Sequence, residues 1–237
     1  MRQHPVRRLE LPDIVTIANV MFGFLAIVVI SVETGSGGEL GLAARLILLG
    51  VIADGLDGVL ARISTSSEIG ELLDSLADIV SFGVAPGLFV YTVARTEWGW
   101  SSIPDPTERV VLTIAITTAF VVAALLRTTM YMVYESDEFR PGVPNTLAAT
   151  VLTLTYLAGF DSATLLLVEA AALTYLMLAQ IPYPGLCARD ALGVGTVQTV
   201  VIAWGSSGQW LARVLLVVAL AYLTLGPISY RSRGIRK

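Results

Sequence analysis

The chain has 237 residues, 55% of them hydrophobic and 14% charged, against about a quarter charged in an average soluble domain. With a mean hydropathy of +0.75, this is the composition of an integral membrane protein. A net charge of −4 argues against a nucleic-acid partner, and a single histidine, His4, and a single cysteine, Cys187, exclude His-rich metal sites, histidine catalysis in the membrane and an internal disulfide.

In chain order, the segment before the first apolar run holds Arg2, Arg7 and Arg8 and no separable cleavage signal, so that run reads as a retained span. Apolar runs of about 17 to 25 residues can cross a bilayer as helices. There are eight candidates: 12–34, 40–62, 70–95, 109–134, 143–159, 162–182, 192–205 and 209–226. Short turns alone divide the second half, so six or seven spans remain open there. Breaks fall at "TGSGGE" (34–39), "SSIPDP" (101–106), "RPGVP" (140–144), "YPG" (183–185) and "GSSG" (205–208), where turn chemistry predicts them. The expected fold is a single all-α membrane domain over residues 1–237, a polytopic helix bundle of about eight transmembrane helices.

Eight spans put Arg2, Arg7, Arg8, Arg62, Arg140, Arg189, Arg231, Arg233, Arg236 and Lys237 on one side and Arg95 and Arg109 on the other. The first side is expected to be cytoplasmic. Both termini and the loop 62–70 then face the cytoplasm.

The second and third spans carry Asp54, Asp57, Asp74 and Asp78 among apolar neighbours. At about 100° per residue, Asp54, Asp57, Gly58, Ala61 and Arg62 fall on one side of the second helix, and Gly70, Asp74 and Asp78 on one side of the third. The short loop makes these helices antiparallel neighbours, so their acidic faces are expected to meet just inside the cytoplasmic boundary. At 1.5 Å per residue, Asp54 lies about 12 Å along the helix from Arg62. Converging carboxylates in a low dielectric repel one another unless something positive sits between them. One arginine is too little; a divalent cation suffices. An all-oxygen donor set points to Mg²⁺ or Mn²⁺, and four acids from two helices suit a pair of ions. Gly55, Gly58 and Gly70 weaken a helix and suit places where backbone approaches backbone or ligand. The bland alternative is a polar seam of acids that satisfy one another; a second, of another class, is a cation transporter, although transporters more often hold acids at the midplane, on broken helices of repeated halves.

The fixed positions read D-x-x-D-G-x-x-A-R, seven residues, then G-x-x-x-D-x-x-x-D: Asp54, Asp57, Gly58, Ala61, Arg62, Gly70, Asp74 and Asp78. This resembles the signature of the CDP-alcohol phosphotransferases, membrane enzymes of phospholipid head-group synthesis. "LLDSLADIVSFGVAPG" (72–87), "LPDIVTIANVMFG" (11–23) and "GVPNTLAA" (142–149) are similar to the phosphatidylserine synthase branch. One departure falls at Arg127: where that branch tends to carry two arginines three apart and then Phe-Asn, this chain reads Arg127-Thr128-Thr129-Met130-Tyr131-Met132.

The resemblance covers residues 11 to about 150, which it marks as the phosphotransferase core; 151–237 would be additional transmembrane helices. It implies attack by an alcohol on the β-phosphorus of a CDP-lipid (CDP-diacylglycerol or CDP-archaeol), with release of CMP. L-serine is the favoured acceptor, and inositol phosphate or glycerol phosphate the alternatives. Metal ions would be held by Asp54, Asp57, Asp74 and Asp78, with Asp78 as general base. Arg62 would contact a phosphate, and Gly58, Ala61 and Gly70 would leave room for the nucleotide. Thr16 and Asn19 would reach the nucleotide or bond between helices, and Arg127 and Arg140 would serve the acceptor or the lipid phosphate. A homodimer in the cytoplasmic membrane is also implied.

Overall fold

A computed structural model describes residues 9–33, 38–60, 67, 69–100, 107–133, 141–181, 183, 188–204 and 208–234. They form eight helices and no strand: α1 (Leu11–Ser31), α2 (Gly38–Leu60), α3 (Gly70–Glu97), α4 (Glu108–Val133), α5 (Asn145–Leu157), α6 (Ala163–Leu178), α7 (Ala188–Trp204) and α8 (Gln209–Gly234). Each matches one apolar run of the sequence, so the expected polytopic all-α bundle is what forms.

Four helical stretches are long and apolar enough to cross a membrane: Leu11–Ser31, Gly70–Glu97, Glu108–Val133 and Gln209–Pro227. The bundle's outward faces carry bare apolar side chains such as Phe24, Leu112, Val168 and Val217, which water would penalise and hydrocarbon accepts. By contrast α5, with 13 residues, is only about 20 Å long, shorter than the roughly 30 Å hydrocarbon layer. It can be short because it is interior, and every residue from Ala148 to Thr155 is buried. Two of its threonines close their own polar groups, Thr150 onto Thr146 O and Thr153 onto Ala149 O, both at 2.7 Å.

α1 packs along α2 and also against α3; α2 reaches α5 and α7, and α8 covers α5. The approach of α1 to α3 depends on Gly23, where an added Cβ would lie 2.7 Å from Ser81 Cα. The entry to α5 depends on Gly142, whose φ of +82° favours glycine and whose Cβ would meet Met177 O at 2.1 Å. There the backbone is tied to the end of α6 by Gly142 N–H to Ile181 O at 2.9 Å and Val143 N–H to Leu176 O at 3.0 Å.

α3 is not uniform. Directly after Asp78 it opens into a π-helical turn, Ile79–Val84, before resuming its α course. Such turns insert one residue and re-aim the side chains beyond them, and they gather at functional sites. Here the turn presents Ser81 to α1, where its hydroxyl donates to Asn19 O at 3.1 Å.

Candidate active site

The first turn of α1 is closed by Glu10 and Asp13, with Glu10 N–H donating to Asp13 Oδ2 at 2.7 Å. From that anchored start, Thr16 and Asn19 stand one turn apart on a face almost wholly covered by α2 and α3. Thr16 donates its hydroxyl to Asp57 Oδ2 at 2.6 Å. Asn19 donates its amide to Asp78 Oδ1 at 3.3 Å. The sequence left these two residues between nucleotide contact and interhelical bonding; in the structure each bonds an acid on a neighbouring helix.

The acidic faces of α2 and α3 meet as expected. Asp54, Asp57 and Asp74 each offer a carboxylate oxygen, and all three oxygens lie within 4.8 Å of one another. Asp78 adjoins this trio, on the same cavity wall as Asp54 and Asp74. A further helix takes part: Thr146, in the first turn of α5, donates to Asp54 Oδ2 at 3.4 Å. The donor set is therefore all oxygen. Asp74 Oδ1 is buried with no hydrogen-bond partner among the described residues, a costly arrangement for a carboxylate oxygen. A hard divalent cation is what such a set fits, so the cluster can hold a metal ion.

The acids open onto a cavity of about 540 Å³ lined by Asp54, Asp74 and Asp78, by Arg127, Thr128 and Tyr131 of α4, and by Thr146 of α5. Arg127 thus stands at the same cavity as three of the acids. Gly55 is also on its wall, and a Cβ at Gly55 or Gly58 would meet nothing within 4 Å, so these glycines leave open space beside the acids. Gly70 is different: its Cβ would come within 3.0 Å of Asp13 Oδ1, a close approach of α3 to the start of α1. Ala61, Arg62 and Arg140 lie outside the described residues.

Two acid-bearing helices, a half-buried all-oxygen cluster and an adjoining cavity are the elements that the sequence pattern implied, and comparison with known proteins decides between them and the bland alternatives. The profile of the family described as CDP-alcohol phosphatidyltransferase matches residues 9–181. The chain belongs to this family. Among CDP-alcohol phosphatidyltransferases and their relatives, it is 30% identical over 192 residues to the archaetidylserine synthase of Methanothermobacter thermautotrophicus, covering 79% of this chain and 74% of that protein. It is 42% identical over 91 residues to the CDP-diacylglycerol–serine O-phosphatidyltransferase of Saccharomyces cerevisiae, covering 37% of this chain and 33% of that one. The corresponding protein of Helicobacter pylori strain J99 is 36% identical over 97 residues, 40% and 39% of the two chains.

As a CDP-alcohol phosphotransferase, the chain is an enzyme of a known type, and the site includes residues that its motif did not mark. Thr146 follows Asn145 in "GVPNTLAA", and Asn145 is itself fixed by donating to Thr128 Oγ1 at 2.8 Å and Ala124 O at 3.2 Å. That pinning of α5 to α4 sets the depth at which Thr146 meets Asp54. A polar Asn-Thr pair opening an apolar run is the available signal, but its target, 92 residues earlier, cannot be read from it. Tyr183, Gln198 and Tyr222 also line the cavity and stand beyond the matched residues.

Proposed function

We propose that this protein transfers the phosphatidyl-type group of a CDP-lipid, CDP-diacylglycerol or CDP-archaeol, to the hydroxyl of L-serine with release of CMP. The observation that carries the reading is the cavity itself, where three of the four motif acids share a wall with Arg127. Its support in kinship is the likeness to an archaetidylserine synthase over 79% of the chain.

In this reading Asp54, Asp57, Asp74 and Asp78 hold Mg²⁺ or Mn²⁺, as a pair of ions, which when bound supply positive charge to the diphosphate and to the departing phosphate. Thr16, Asn19 and Thr146 fix the rotamers of Asp57, Asp78 and Asp54, so the acids are set before substrate arrives. Gly58, with Ala61, leaves room for the cytidine, Gly70 lets α3 close on the start of α1 beside it, and Arg62 holds a phosphate through its forked donors. Asp78 accepts the proton of the serine hydroxyl. The serine oxygen bonds to the β-phosphorus, the bond from that phosphorus to the bridging oxygen breaks, and CMP leaves with the electron pair. Arg127 and Arg140 serve the carboxylate of serine or the lipid phosphate.

Charge favours serine over a phosphorylated alcohol. Among the described residues lining the cavity, Arg127 is the single cationic side chain, against Asp54, Glu71, Asp74 and Asp78. A phosphomonoester acceptor brings nearly two negative charges into that setting, whereas a zwitterion brings none in net. Residues 11–150 form the catalytic core in this proposal, and the helices after them complete a homodimeric enzyme of the cytoplasmic membrane, with both termini and the active site facing the cytoplasm. The test is a radiolabelled-acceptor assay on purified protein with a CDP-lipid and Mg²⁺ or Mn²⁺, offering serine, inositol phosphate and glycerol phosphate separately. Product from serine alone supports the reading. Product from a phosphorylated alcohol and none from serine overturns the acceptor.

A further inference from the structure

The family match ends at residue 181, yet the cavity beside the acids does not. Gly195 and Gln198 of α7 and Tyr222 of α8 form part of its wall. Gln198 is 2% exposed, on a helix whose following turn packs Val201 inward. A primary amide held in an apolar helix is costly unless a partner receives it. Gly195, one turn earlier on the same face, has open space where a Cβ would be, so the amide is not crowded from that side. A neutral amide offers two donors and an acceptor at one place. It can therefore serve a carboxylate and an ammonium alike, while adding no charge that would draw in a dianionic phosphate.

We infer that Gln198 is a specificity-determining residue for the acceptor, its side-chain N–H donating to the carboxylate of the amino acid while the hydroxyl end faces Asp78. The inference rests on the transferase reading above and adds a residue that the aspartate motif does not contain. In this arrangement α2 and α3 carry the chemistry, and α7, packed on α2, carries part of the acceptor's identity.

The test is steady-state kinetics of purified Gln198→Leu and Gln198→Glu, with serine and the CDP-lipid varied in turn. Leucine keeps the bulk and removes the amide; glutamate keeps the shape and repels a carboxylate. The expected result for Gln198→Leu is a serine KM raised about tenfold, the size of one lost hydrogen bond to a charged group. The KM for CDP-lipid and kcat should stay within about twofold of wild type, and Gln198→Glu should raise the serine KM further. A serine KM within twofold of wild type in either folded variant overturns the inference, and so does an equal rise in both KM values. Should the leucine variant fail to fold, Gln198→Glu decides alone. Wild-type protein that makes no product from serine overturns the reading beneath, which separates that failure from failure of Gln198.

Discussion

Thr16 on α1 donates its hydroxyl to Asp57 Oδ2 on α2 at 2.6 Å. Asp57 is 7% exposed, and its carboxylate is one of the three that converge, so this bond orients a candidate metal ligand from a helix that carries none. Thr16→Val keeps the shape and removes the donor. Losing such a supporting bond costs roughly 10- to 100-fold in metal affinity. We expect the Mg²⁺ or Mn²⁺ concentration for half-maximal activity to rise by about tenfold, with activity recovered at high metal. Unchanged metal dependence would show the bond to be structural.

The convergence of Asp54, Asp57 and Asp74 within 4.8 Å predicts that charge at these positions cannot be traded away. Asp57→Asn or Asp74→Asn is expected to abolish transfer even at saturating metal, because an amide supplies neither the charge nor the second strong oxygen. Chelation of the wild-type protein should have the same effect, reversed by adding Mg²⁺ or Mn²⁺ back. Substantial turnover by either variant would remove that residue from the metal site.

Asp78 adjoins the trio and receives Asn19 at 3.3 Å, with the π-helical turn beginning at the next residue. If its main work is to take the acceptor's proton, Asp78→Asn separates binding from chemistry. The KM for CDP-lipid should persist while kcat falls by about 10² or more. Equal loss of both would recast Asp78 as chiefly a ligand. Asn19→Leu should show the same kind of loss in weaker form, since it removes the donor and leaves the acid.

The glycines divide in a way that stability measurements can read. At Gly142 a φ of +82° and a Cβ position 2.1 Å from Met177 O combine backbone strain with overpacking. Gly142→Ala should therefore lose about 2–6 kcal/mol, seen as a clear drop in melting temperature in detergent. At Gly58 a Cβ would meet nothing within 4 Å, and Gly58→Ala should not lower stability. It should instead weaken the thermal protection given by CDP or CMP with metal, because the methyl group takes space that the cytidine requires. Full protection in that variant would place the nucleotide elsewhere.

How much of this is legible in the sequence depends on range. The helices are, because each is set by local hydropathy and by breaks such as that at Gly142. The meeting of Asp54 and Asp57 with Asp74 is also legible, since a short loop forces α2 and α3 together and helical spacing does the rest. Features that rest on packing between distant elements are not. The π-helical turn at Ile79–Val84 sits where Ser81 meets Gly23 across two helices, and nothing in "IVSFGV" alone calls for it. Thr146, beside Asn145, and Gln198, between Thr196 and Thr199, are polar residues in apolar runs, a pattern shared with the Thr150 and Thr153 that only close their own helix. Only the bundle separates the two kinds, by bringing α5 and α7 to the acids on α2.

Arg127 is where acceptor and lipid phosphate can be told apart. It lines the cavity together with Asp54, Asp74 and Asp78, and it is the single cation among the described lining residues. A half-buried arginine at the cavity wall suits an anion, and the reaction brings two: the carboxylate of serine and the phosphate of the CDP-lipid. Serine is small and has few groups by which to be held, so loss of its one cationic partner should dominate its binding, whereas the CDP-lipid keeps its nucleotide, metal and acyl or isoprenoid contacts. Arg127→Ala is therefore expected to raise the KM for serine by about tenfold or more, the cost of one charge-assisted contact, and that for CDP-lipid by much less. Initial rates with each substrate varied at saturation of the other make the comparison. A reversed pattern, with the CDP-lipid KM rising and that of serine holding, assigns Arg127 to the lipid phosphate and leaves the serine carboxylate to the neutral donors around the cavity.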